Sequence, residues 1–474
     1  MQRFVSHPSR NPLSLSVAAI LMISSWSAAS GQGAPTGNLQ GSGLERAIAI
    51  EREVSGIAAR GELWPGFDLL SIPLAIYTGE ETYLFRHPAP PQEFELVPRQ
   101  DAWVRRAPGR YPSVSANTSV DLGGVSTATL MAENRAISPA RCAEIAAHES
   151  FHVFQRAHHP SWSGNEGDLF LYPTEEAGGL ALRRMESVAL ANALAASEDA
   201  VARCWARTAL GHRAHRFAAI DSTFSRYERA TELNEGLATY VELRAAERVS
   251  PVCPPGEFGA TAIRERCYWS GAALGFLLDR LRPDWVTELE VNDRGDLDLM
   301  LHEAIAYIGS DSICKLSRAE SDRLFEEAKR DVEAVSTQRA AAALAFDTLP
   351  GWRVTVELPT DAPLWPQGFD PLNVQLVDGG VLHARMLTLA NDQARLEMLD
   401  TSAADLVALT VAAGAHPLWN GISRVTVAGL GQPEVTPDGD GLRVTAPGLE
   451  LRVARATSQT VGQQIQISTT GKGR

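Results

Sequence analysis

The amino-acid sequence predicts an α+β protein: a strand-containing N-terminal part, a mainly helical segment, and a C-terminal all-β, sandwich-like domain. Three observations carry this reading. Between Pro139 and Phe346, apolar residues recur at spacings of three and four in stretches rich in Ala, Leu, Arg and Glu, the period of amphipathic helices. On both sides, short apolar runs lie between Pro and Gly breaks, the texture of strands. The chain has 474 residues, 45% hydrophobic and 21% charged, enough for two or three globular domains.

Residues 1–30 read as a secretory signal. Arg3 and Arg10 supply positive charge, Leu13 to Trp26 is uncharged and mostly apolar, and Ser27-Ala28-Ala29-Ser30 offers small residues for cleavage. The apolar run is shorter than the ~20 residues of a membrane span. No later segment is long and apolar enough to cross a bilayer, so the expectation is an exported chain, periplasmic or extracellular, with no membrane span after cleavage. Residues 31–42, rich in Gly, Gln and Ser, read as a linker.

In the part 43–135, a short helix is expected over 43–60. Strands are expected at Leu69–Tyr77, Tyr83–Arg86, Phe94–Pro98 and Gly123–Leu130. In the helical region 136–348, Ser138 and Pro139 form a cap and first-turn pair, and the helix they open should run to His158, just before Pro160. Further helices are expected at 175–197, 199–219, 222–248, 268–281, 298–308 and 317–346. In the domain 349–474, strands are expected at Trp352–Leu358, Val374–Val377, Val381–Leu389, Ala394–Met398, Leu406–Val411, Ile422–Val427, Leu442–Thr445, Leu449–Ala454 and Gln464–Ser468. Turns such as Asp378-Gly379-Gly380 separate them.

The formal net charge of −14 excludes nucleic acid and anionic membrane surfaces as natural partners. There are five cysteines, and export permits disulfides. Cys253 and Cys267 flank a Pro/Gly-rich loop and make one plausible pair. Cys142 and Cys204, on two helices, make another, and one Cys is left over. Cysteine-based zinc sites are unlike this sequence, because it holds no CxxC.

The chemistry lies in His148-Glu149-Ser150-Phe151-His152, an HExxH inside a predicted helix. Residues four apart sit about 40° apart around a helix, so both imidazoles face one point. Two such ligands suit zinc (Zn2+) and leave room for one more protein ligand and a water. Glu149 is placed to take a proton from that water and pass it to a leaving group. Apolar neighbours, among them Ile145, Ala146, Phe151 and Phe154, mark the helix as buried. Two histidines and a glutamate are costly there without partners.

The third ligand has several candidates. His158 has the spacing of HExxHxxGxxH, but position 155 is Gln rather than the Gly that would turn the chain back. Glu166, Glu175, Glu176 and Glu186 are nearby carboxylates. Glu235 stands in Asn234-Glu235-Gly236-Leu237-Ala238-Thr239-Tyr240. An HExxH helix followed by Asn-Glu-Gly-x-Ala-x-Tyr resembles the gluzincin metallopeptidases, especially the aminopeptidase N-like branch.

That resemblance spans about residues 120–290. It implies a thermolysin-like helical zinc-peptidase domain, a peptide or protein substrate, and His148, His152 and Glu235 as metal ligands. By the same fold-level analogy, the strand near Gly123–Leu130 is expected to be an edge strand along which an extended substrate would pair. Here 83 positions separate Glu235 from His152, more than in those aminopeptidases, and an inserted helical hairpin over 173–225 accounts for the difference. Glu242, two turns further on, is a candidate to orient a ligating His. Tyr268-Trp269-Ser270-Gly271-Ala272 resembles the family's Tyr-x-Lys-Gly-Ala segment, with Ser270 in place of the Lys. It implies that Tyr268 stabilises the oxyanion. The family's Gly-x-Met-x-Asn segment is missing, and Met131-Ala132-Glu133-Asn134 lacks its Gly. Endo- and exopeptidase action both stay open. So do a zinc hydrolase of a non-peptide substrate and a secreted binding protein with a vestigial site, although the intact Glu149 argues against the last.

Overall fold

The computed structural model describes residues 42–98, 103–254, 258–292, 295–306, 314–370, 373–399 and 406–469. The expected signal and nearly all of the expected linker lie outside them. The protein is α+β. Its contacts divide it into two compact units, Met1–Glu53 with Leu70–Ser150, and Val54–Leu69 with Phe151–Arg474. No helix among the described residues is long and apolar enough to cross a membrane.

The chain opens on helix α1 (Gly43–Ala59). The sheet of the first unit holds β1 (Leu74–Tyr77), β2 (Glu81–Phe85), β3 (Glu95–Val97), β4 (Val104–Pro108), β5 (Thr118–Leu122) and β6 (Val125–Met131), in the order β3-β4-β2-β1-β6-β5. Only β1 and β6 pair in parallel; the other neighbours are antiparallel. Ala75, Leu84, Phe94, Ala107, Val114 and Leu122 form one of its buried clusters. One expectation is overturned here. β6 is no edge, because β1 takes one side and β5 the other. The short Thr118–Leu122 run, too polar to read as a strand, covers the face where a substrate was to pair.

Helix α2 (Pro139–His158) straddles the division and has the bounds expected of it. Ser138 Oγ accepts from the Arg141 N–H at 3.1 Å, a cap on the first turn. The second unit continues through α3 (Glu166–Leu169), α4 (Ala177–Ala195), α5 (Asp199–Ala218), α6 (Ser222–Thr231), α7 (Leu237–Ala245), α8 (Ile263–Leu281), α9 (Trp285–Val291), α10 (Leu297–Ala306) and α11 (Arg318–Thr348). The expected helix 222–248 is broken by a π-helical turn, Glu232–Gly236. Helix α8 starts a turn before the expected position, so Tyr268 lies inside it rather than at its start. Ile263 is the buried residue that begins its apolar face.

The disulfide is Cys204–Cys314, with Cα atoms 5.4 Å apart. Neither expected pair forms: Cys204 is engaged elsewhere, and Cys142 and Cys267 are buried thiols. Sequence spacing did not reveal that α5 passes beside the segment leading into α11.

The β-rich C-terminal part holds thirteen strands among the described residues: β7 (Trp352–Glu357), β8 (Trp365–Phe369), β9 (Val374–Val377), β10 (Gly380–Ala384), β11 (Met386–Ala390), β12 (Ala394–Leu399), β13 (Val407–Ala412), β14 (Ile422–Leu430), β15 (Glu434–Asp438), β16 (Gly441–Ala446), β17 (Leu449–Val453), β18 (Ala456–Val461) and β19 (Gln464–Thr469). One sheet runs β18-β19-β7-β14-β13-β10-β9, the other β15-β16-β17-β12-β11-β8. Val356, Val425 and Val427 of the first sheet share one buried cluster with Leu389, Leu396 and Leu451 of the second. The expected single strand Val381–Leu389 is two strands in different sheets. The chain crosses between them at Arg385, whose φ of 70° ends one pleat and starts another.

Candidate metal centre

The site begins with a helical turn. His148 and His152 stand one turn apart on α2, and each is 5% exposed; Glu149, beside His148, is 0% exposed. Glu235 comes from the π-helical turn and is 2% exposed. One ligand atom from each of His148, His152 and Glu235 lies within 4.8 Å of the others, and among the described residues no other such group of three appears.

Gln155 decides the state of His152. Its Nε2 donates to the carbonyls of Leu233 and Asn234, each at 3.0 Å. Its Oε1 therefore faces His152 Nδ1, at 2.8 Å, and an amide oxygen only accepts. The network thus assigns the imidazole proton to Nδ1. The Nε2 lone pair then faces Glu235 Oε2 at 3.2 Å. Two acceptors cannot hydrogen-bond to each other, so a positive centre, a proton or a cation, belongs between them. Two buried imidazoles and a buried carboxylate are a donor set that zinc takes, with a fourth position left for water. The residues fit the metal.

Gln155 is the residue whose presence argued against His158 as a ligand. It orients His152, and it clips α2 to the turn bearing Glu235. Its position three residues after His152 was a signal that sequence reasoning passed over. His158 is exposed and stacks on Phe154, ring centroids 4.4 Å apart, away from the cluster. His159 is buried, stacks on Trp162 and meets Glu290 at 3.0 Å.

The carboxylates of Glu166, Glu175 and Glu186 are engaged by arginines. Glu166 accepts from Arg264 Nε and the Tyr227 hydroxyl, each at 3.1 Å. Glu175 pairs with Arg339. Glu176 precedes α4 as its N-cap residue. Glu186 accepts from Arg213 and Arg216 and is ion-paired with Arg266, each at 2.8 Å.

Arg264 lies behind Glu235. Its Nη2 donates to Glu235 Oε1 at 2.7 Å and its Nη1 to the Tyr268 hydroxyl at 2.5 Å. The two oxygens of Glu235 are thus divided, Oε1 to Arg264 and Oε2 toward His152. Burial alone would lower the Arg264 pKa, but Glu235, Tyr268 and Glu166 outweigh it and raise it above its ordinary value. Tyr268 is half-buried and joined to the cluster through this guanidinium. A hydroxyl that accepts from a guanidinium keeps a proton to donate.

A buried ion network braces the turn. Glu232 takes both Nη atoms of Arg213, at 2.8 and 2.5 Å, and the Ser270 hydroxyl at 2.5 Å. Arg213 and Arg216 of α5 bridge on to Glu186 of α4, and Arg216 also reaches Glu228 of α6. Burial would raise the Glu186 carboxyl, but Arg213, Arg266 and Arg216 hold it well below the usual range. At Glu232 burial prevails over Arg213, and its pKa is raised. Ser270, where the family segment carries Lys, belongs to this network. Tyr240 is likewise structural: its hydroxyl meets Asp279 of α8 at 2.9 and 3.0 Å.

Compared with family models, with curated proteins and with solved structures, the chain matches none.

Proposed function

We propose that the protein is an exported zinc metallopeptidase of gluzincin type. In this reading 43–348 is a thermolysin-like catalytic region and 349–474 a sandwich-like β domain. The observation that carries it is the meeting of His148, His152 and Glu235, with an imidazole lone pair and a carboxylate oxygen facing each other in a buried setting. The Cys204–Cys314 bridge supports an oxidising compartment.

Zinc held by these three residues would supply a Lewis acid that polarises a scissile carbonyl and lowers the pKa of water. Glu149 accepts a proton from the attacking water and returns it to the leaving amine. Tyr268 donates to the carbonyl oxygen as charge develops on it, a contribution of about 3–4 kcal/mol where one such donor is removed. Arg264 holds the Tyr268 oxygen, which limits the directions in which the hydroxyl can donate.

The test is Glu149→Gln, assayed against casein, short peptides and esters, with zinc content measured on the same sample. One zinc per chain with hydrolysis abolished supports the role of Glu149. Undiminished turnover refutes it. Cleavage of esters alone by the wild type would move the protein to a non-peptide substrate.

A further inference from the structure

We propose that the β-rich C-terminal part is a working support of the metal centre, acting on Glu235 through Glu166 and Arg264; the proposal rests on the metal-centre reading above. The support begins at the loop between β13 and β14. His416 Nδ1 accepts from the Leu418 and Trp419 N–H groups at 3.1 and 3.0 Å, which leaves the ring proton on Nε2. That atom donates to the Gly167 carbonyl in α3 at 2.7 Å.

The Trp419 indole lies flush on the same residue. A Cβ built on Gly167 would come 2.8 Å from indole atoms, so only glycine allows this approach. Phe170, just past α3, and Trp419 itself both pack on the buried cluster of the two sheets. The one-turn helix α3 is too short to hold its place by its own hydrogen bonds. The β-rich part seats it on one side, and Leu169 packs on the buried Tyr172, Tyr227 and Ile263 on another.

Glu166 is the residue immediately before Gly167. Its Oε1 holds Arg264 Nε and its Oε2 the Tyr227 hydroxyl, each at 3.1 Å. The same guanidinium holds Glu235 Oε1 at 2.7 Å. A planar guanidinium presents its donors in a rigid fork, so moving Glu166 turns the group that sets the Glu235 carboxylate. Groups that orient a ligand in this way change metal affinity by roughly 10–100-fold when removed. Glu166, Arg264, His416 and Trp419 are therefore positioning residues, and the β-rich part has a role at the site without touching substrate.

The full chain is the test object, in wild-type form and as Glu166→Gln, Trp419→Ala, Trp419→Phe, His416→Ala and the Glu166→Gln/Trp419→Ala double variant. Zinc affinity is read by chelator competition, site geometry by the visible spectrum of the cobalt(II)-loaded protein, and folding by melting of the metal-free form. The relay predicts about 10–100-fold weaker zinc binding in Glu166→Gln and Trp419→Ala, with altered cobalt bands. It also predicts unchanged metal-free melting for Glu166→Gln, recovery in Trp419→Phe, and a double variant no worse than the weaker single. If Trp419→Ala does not fold, His416→Ala takes its place in the cycle. Wild-type affinity and bands in Glu166→Gln and the loop variants overturn the relay and leave the metal centre standing. A wild-type chain that takes up neither zinc nor cobalt overturns both.

Discussion

Gly236 and Gly271 are in backbone contact: a Cβ on Gly271 would lie 2.7 Å from Gly236 Cα, and one on Gly236 would lie 2.6 Å from Gly271 Cα. The π-helical turn that carries Glu235 therefore rests directly on α8. Gly271→Ala and Gly236→Ala would each insert an atom where the neighbour is backbone and cannot rotate away. Each is expected to cost about 1–3 kcal/mol, and to weaken zinc binding, because the displaced element is the ligand turn. Melting with and without zinc checks this. An alanine variant with wild-type melting and affinity would show that the contact is loose.

Gln155 makes three hydrogen bonds that tie His152 to the Glu235 turn. Gln155→Ala leaves two carbonyls and a ring nitrogen to find other partners, at about 1–3 kcal/mol for a buried group left unsatisfied. Zinc affinity should fall roughly 10–100-fold. Gln155→Glu keeps an acceptor for His152 but loses both donors, so it should recover zinc affinity better than stability. Equal losses of both in the two variants would remove Gln155 from the orienting role.

The Glu186 network predicts a pH dependence. The folded-state pKa of Glu186 lies below its ordinary value of 4.5. Its ionised form therefore contributes stability that is present above about pH 4.5 and is lost as pH falls through the folded value. Glu232, whose pKa is raised, acts in the opposite sense. Glu186→Gln should cost about 3–5 kcal/mol near pH 7, the effect of breaking a buried ion pair. The gap from wild type should narrow as the pH is taken below 4. A gap that widens in acid would contradict the assignment.

Cys204–Cys314 closes a loop of 110 positions, for which chain entropy gives about 4–5 kcal/mol. Reductant or Cys204→Ser should therefore lower the melting temperature by several degrees, whereas Cys142→Ala should be nearly neutral to reductant response. Proteolysis of the oxidised protein, followed by mass spectrometry, should yield one cross-linked peptide pair containing Cys204 and Cys314. A Cys142–Cys204 peptide would restore the pairing expected from sequence.

Local rules were legible throughout the chain. Ser138, Pro139 and Pro160 set both ends of α2, and the HExxH spacing put two imidazoles on one side of it, because helix period and capping are properties of adjacent residues. Asn234-Glu235-Gly236 marked the third member of the cluster from 83 positions away, through a motif and not through any distance the sequence contains. The interruption of 222–248 was hidden, because Glu232–Gly236 has the composition of an ordinary helix and its π turn answers to Gly271 on α8. The Val381–Leu389 break was hidden for a similar reason: Arg385 turns because two sheets meet there.

The sequence by itself marked the longer helices, most strands of the β-rich part and the three residues His148, His152 and Glu235 that meet, since each depends on side-chain type and short-range period or motif. Tertiary structure alone decided the tautomer of His152, the division of the Glu235 oxygens, the Cys204–Cys314 pairing and the covering of β6 by β5. Each of those depends on which distant group arrives within hydrogen-bonding or bonding distance, and that is a property of packing, not of neighbours along the chain.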